Sequence, residues 1–130
     1  MDRKELTSED IEKGKKLLLG LDRDNFPVSA ALWLLDTEVS VWRYLIASSE
    51  LDELGPIGAY NKLQAEMTRV LGHDSIVFSK VVTILSPANP LIKLLQKAIS
   101  TGGPESVSGI RFTGNVIDNQ YIDDAYLYRV

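Results

Sequence analysis

The chain reads as a single α+β domain in the order α-ββ-α-β-α-ββ, with an antiparallel or mixed sheet of about five strands and helices packed on at least one face. Three observations predict it. Ala30 to Ser48, AALWLLDTEVSVWRYLIAS, sets two apolar runs of strand length around one polar interruption, the pattern of a β-hairpin. Two stretches, after Thr7 and after Pro56, carry apolar residues at helical spacing. Near the C-terminus a second apolar and polar alternation flanks Asp118-Asn119, two residues that tolerate positive φ and so suit a two-residue turn. With 130 residues, 45% of them hydrophobic and 25% charged, residues 1–130 have the balance of one globular domain and no room for a second.

The first helix is predicted from Thr7 or Ser8 to Leu19, opened by the capping-box spacing of Thr7 to Asp10 and stopped by Gly20. Ile11, Gly14, Leu18 and Leu21 make its apolar stripe, on which Gly14 suggests a close backbone approach. Glu9 with Lys13 and Glu12 with Lys16 are spaced for ion pairs one turn apart, so the run Lys13 to Lys16 reads as a solvated face. After the polar loop Asp22 to Asn25, Pro27 sets a turn into the hairpin. A helical reading of this region would bury Asp36 and Thr37 beside its stripe and conflicts with its β-branched and aromatic content. A loop from Thr37 to Ser40 pairs Leu35 with Trp42 and Trp33 with Tyr44. Ala31, Trp33, Leu35, Trp42, Tyr44 and Ile46 then share one face, and Leu32, Leu34, Leu45 and Ala47 share the other with Arg43. Two apolar faces predict a sheet covered on both sides.

Ser48 to Leu54 reads as an acidic connector, and Gly55-Pro56 opens a second helix with proline at its first position. Ile57, Tyr60, Leu63, Met67, Val70 and Leu71 form its stripe, and Gly72 its stop. Ser75 to Leu85 is apolar at nearly every position, as a central strand buried on both faces would be. A third helix is expected from about Pro90 to Ile99, with Leu91, Leu94, Leu95, Ala98 and Ile99 inward. Gly102-Gly103-Pro104 is a breaker, and the final hairpin then pairs Phe112 with Ala125, Ile110 with Leu127 and Val116 with Tyr121. Gly114 and Asn115 are placed to hold a bulge.

No stretch carries a reaction signature. The chain lacks a nucleophile elbow, a phosphate-cradling glycine loop and any cysteine, so no cofactor or catalytic residue is assigned. His73 is the only histidine and reads as a helix-end residue. Asp118, Asp123 and Asp124 lack the spacing of a calcium loop. A net charge of −4 argues against a nucleic-acid surface, and no apolar run approaches the length of a membrane span. A charged start and the missing cysteines fit a cytoplasmic protein. What remains is a small accessory or interaction protein that binds another protein or itself. Its expected partner face is Arg111, Asp124, Tyr126 and Tyr128, a mixture of aromatic and charged residues on one side of the last hairpin. Two alternatives stand beside it: a metal-dependent enzyme or small-ligand binder using the acidic C-terminal hairpin with His73, and a nucleic-acid accessory protein using Lys13 to Lys16 and Arg23.

Overall fold

A computed structural model describes residues 5–99 and 106–130. The expected breaker at 102–104 lies outside the described residues. Helix α1 (Ser8–Arg23) leads into strands β1 (Ala30–Asp36) and β2 (Val41–Ala47). Helix α2 (Glu50–Leu71), a 3-10 turn (Gly72–Asp74), the one-turn helix α3 (Ser75–Phe78) and strand β3 (Val82–Leu85) follow. Helix α4 (Pro90–Ala98) and the hairpin β4 (Ile110–Ile117) and β5 (Gln120–Arg129) complete the domain. The five strands form one mixed sheet in the order β3-β2-β1-β5-β4, with β3 parallel to β2 and every other pair antiparallel.

Both faces of the sheet are covered. Leu17, Leu18 and Leu21 of α1 and Ala59, Leu63 and Met67 of α2 pack with Phe26 and Phe78 on Ala31, Trp33, Trp42, Tyr44 and Ile46. On the opposite face Ile92 and Leu95 of α4 meet Ala30, Leu32, Leu45, Ala47, Ala125 and Leu127. The β1–β2 register sets Leu35 opposite Trp42 and Trp33 opposite Tyr44, so the two faces of the hairpin are those its alternation predicts.

Helix α1 docks through Gly14. A Cβ there would lie 2.5 Å from Tyr128 Oη, 2.7 Å from Tyr44 Cε2 and 2.9 Å from Trp33 Nε1. Because the helix comes this close, two hydroxyls reach its backbone: Tyr44 donates to the Gly14 carbonyl (2.8 Å) and Tyr128 to that of Ile11 (2.6 Å), while Trp33 Nε1 donates to Tyr128 (3.0 Å). Burial pushes both tyrosine hydroxyls well above their ordinary pKa.

Several expectations are corrected. The capping box at Thr7 and Asp10 forms, but Gly20 does not stop α1; it lies buried against Val70 of α2 and the helix runs on to Arg23. The connector Ser48 to Leu54 is helical from Glu50, but Gly55 (φ 75°, ψ 171°) breaks the helical course, so a new segment of α2 begins at Pro56 as expected. Lys62 bridges that break to the buried Glu50 (2.8 Å). Ile57 is 79% exposed and off the inward stripe. In α4 Ile92, not Ala98, points inward with Leu95. The largest error concerns Ser75 to Leu85. It is no central strand: residues 75–78 are helical, Ile76 and Val77 are exposed, and only Val82–Leu85 extends, at the edge of the sheet.

In the last hairpin Asp118 and Asn119 (φ 47° and 69°) make the expected turn, and Phe112–Ala125, Ile110–Leu127 and Val116–Tyr121 pair as expected. Gly114 (φ 55°) does not shift this register. It marks a change of face instead. Phe112 and Ile110 pack on the α4 side before it, and Ile117, at the opposite parity, packs there after it. The register slip falls between β1 and β5, where Tyr128 is the extra residue between the Leu32–Leu127 and Ala31–Arg129 pairs.

Candidate functional site

The four residues expected to meet a partner stand together on the α1 side of β4 and β5, but they are not one exposed patch. Tyr128 is 1% exposed and belongs to the core with Trp33, Tyr44 and Gly14, so its assignment to a partner surface is corrected. The bulge at Tyr128 and the approach of α1 put it there. Tyr126 is half-buried, with its ring 5.3 Å from that of Tyr128 and its hydroxyl under Gly109. Asp124 is buried and accepts two bonds from Arg111, from Nε and Nη2 at 2.6 Å each. This bidentate pair holds the Arg111 guanidinium protonated and lays it over the Trp42 ring at 5.4 Å. Arg111 stands opposite Tyr126 across the strands, yet its cation rests on the Trp42 ring. The ion pair is thus already satisfied within the chain.

What the hairpin leaves open is its edge. β4 has β5 on one side and, among the described residues, no strand on the other. The side chains along it are small or apolar: Ile110, Phe112 and Ile117 are half-buried at the margin of α4, and Val116 and its partner Tyr121 are 62% and 58% exposed. The one charge on the strand, Arg111, is folded onto Asp124 and Trp42. Natural sheet edges are usually blunted by lysine, proline, inward charge or shortness. Here only the Gly114 distortion serves that end. The opposite edge differs, because β3 has four residues and the Tyr60 hydroxyl takes the Ile84 N–H at 2.9 Å.

The acidic hairpin contributes to a second feature, an open cleft of about 260 Å³ between the β1–β2 turn, the start of β5 and the first turn of α4. Leu34, Leu45, Leu91 and Ile122 line it with Asp36, Glu38, Arg43, Tyr121 and Asp123. Arg43 Nε lies 3.4 Å from Asp36, which also accepts the Glu38 N–H. Neither Asp118 nor Asp124 lines this cleft, so the three expected aspartates do not converge. Among the described residues no group of three or more His, Cys, Asp and Glu side chains is gathered to hold a metal ion. His73 stands exposed in the 3-10 turn after α2. Of the basic residues, Lys13 pairs with Glu9 (3.0 Å) and stands 3.8 Å from Asp74, and Arg23 stands 3.6 Å from Asp24. Arg69 shares Asp24 with it and also contacts Glu66; its hydrogen bond holds the Asp24 carboxyl below its usual range.

Sequence reasoning missed the edge because strand order is not written locally, and missed Trp42 as the seat of Arg111 because the two lie on strands that are not neighbours. It also passed over Arg129, which is 1% exposed and binds Asp22 through two bonds (3.0 and 2.7 Å) and the Ser106 and Val28 carbonyls. An arginine inside an apolar strand ending was the available signal. No helix among the described residues is long and apolar enough to cross a membrane. No protein-family model, curated protein or solved structure matches this chain.

Proposed function

We propose that this chain is a small accessory protein that works by binding, taking an extended protein segment as an added strand along β4. The observation that carries the reading is the contrast between its two sheet edges: β3 is short and capped by Tyr60, whereas β4 is eight residues long, neutral apart from an arginine held internally, and flanked by half-buried apolar residues. An added strand gains backbone hydrogen bonds that water otherwise supplies, and its alternate side chains cover Ile110 and Phe112 on one face. Arg111 and Tyr126 border this edge and contribute to its rim, and Asp124 fixes Arg111. A chain without cysteine needs no oxidising environment to fold, which suits the cytoplasm. The test is affinity capture from extract of the source cell with the wild-type chain and with Val116→Lys, which charges an already exposed position on the edge. A partner held by the first and lost by the second, with equal melting temperatures, supports the reading; identical captures overturn it.

The cleft favours a second reading, a small-ligand binder using the acidic hairpin. Its apolar floor below Glu38 and Asp123 suits a compact organic cation more than an anion. Titration with phenethylamine and with phenylacetate, followed by amide shifts at Leu34, Leu45 and Ile122, separates the two. Saturable shifts with the amine alone support it, and none with either removes it.

A further inference from the structure

We infer that the strand taken by β4 is that of a second copy of this chain, paired antiparallel about a twofold axis normal to the sheet at Phe112. This rests on the β4 reading above and names its occupant. An antiparallel pair of identical strands is self-complementary, since each edge offers the other the same alternation of donors and acceptors. Charge permits it. Arg111 is the only charged residue of β4, and it is held by Asp124 of its own chain.

The position of the axis follows from two facts. Gly114, with φ 55°, interrupts the regular strand, which confines the axis to the straight segment from Ile110 to Thr113. Within it, an axis at Arg111 would set two guanidinium groups against each other. An axis at Phe112 sets each Arg111 opposite a threonine and brings the two half-buried Phe112 rings side by side at the margin of the face that α4 covers. The assembly also closes at two. Pairing of β4 with β3 of another copy would propagate as an open filament, but β3 has only four residues and its Ile84 N–H is already taken by Tyr60.

The test begins with the solution mass of the wild-type chain at about 100 µM, a concentration at which a specific dimer should be populated. Twice the 14.4 kDa chain mass is expected. Thr113→Lys places a lysine against the partner's Arg111 and should raise the dimer Kd by about tenfold or more without lowering the melting temperature of the monomer. Because the chain has no cysteine, Phe112→Cys supplies a position-specific arm. Directly opposed strand residues stand about 4.5–5.5 Å apart at Cα, within disulfide reach, so mild oxidation should link this variant, whereas Thr113→Cys, displaced from its own mate, should stay unlinked. A monomeric wild type overturns the second-copy inference and leaves the strand-docking reading to its own capture experiment. A dimer indifferent to Thr113→Lys and unlinked through Phe112→Cys forms elsewhere and likewise overturns the second-copy inference.

Discussion

Gly14 shows how much one residue decides. Alanine is the better helix former by about 1 kcal/mol, so helix propensity alone would make Gly14→Ala stabilising. The space around it says the opposite: the new methyl would meet Tyr128, Tyr44 and Trp33 and force α1 away from the hydroxyls that bond its backbone. Gly14→Ala should therefore lose about 1–3 kcal/mol in urea denaturation, net of the propensity gain. The same two tyrosines set the response to alkali. Their folded pKa values lie above the ordinary value of about 10, so above that pH the unfolded chain releases protons that the folded one retains. Stability is complete below about pH 10 and falls above it, by about 1.4 kcal/mol per pH unit for each tyrosine until its folded pKa is reached. Tyr44→Phe with Tyr128→Phe should flatten the fall in a pH series of chemical denaturation, at the cost of three hydrogen bonds at neutral pH. For the same reason Tyr126 and Tyr128 cannot be replaced together by serine without damage: Tyr128 belongs to the core.

At the scale of elements, α2 and β3 carry the departures from expectation. Helix α2 is broken at Gly55, which adopts the non-helical φ 75°, ψ 171°, a conformation that costs other residues dearly. Nothing lies within 4 Å of a Cβ built there, so Gly55→Ala tests backbone strain without a clash. It should cost about 1–2 kcal/mol in thermal or urea unfolding, and a neutral result would mean the kink relaxes. The run before β3 teaches a different lesson. SIVFSKVVTIL is apolar at most positions, and such a run is compatible with a strand or with a buried helix. The connection to a strand parallel to β2 settled it. The chain has to cross over through α2 and turn back, and residues 72–78 make that turn helically, leaving Ile76 and Val77 in solvent and Phe78 in the core.

Across the whole molecule, Arg129 ties distant segments together. It joins the end of α1 through Asp22, the loop before β1 through the Val28 carbonyl and the segment before β4 through Ser106, all from the last residues of β5. Breaking such a pair leaves Asp22 and two carbonyls without their donor. Arg129→Met should cost about 2–4 kcal/mol, the lower end because Asp22 is partly exposed, as read from the urea midpoint. Arg129→Lys should recover less than half of that, since one ammonium cannot reach all three partners at once.

The sequence by itself determined the parts whose instructions are local. The capping box at Thr7, the hairpin from Ala30 to Ser48 with its register and two apolar faces, the Asp118-Asn119 turn and the α+β class follow from short-range spacing and turn chemistry. Only the tertiary structure decided which strands stand at the edges, that Gly20 passes through the middle of a helix against Val70, that Tyr128 is core and Arg111 lies on Trp42, and that the outer edge of β4 has no strand beside it among the described residues. Those outcomes depend on contacts between residues far apart in the chain. Local periodicity states which face of an element is apolar, and it is silent about what arrives to cover it.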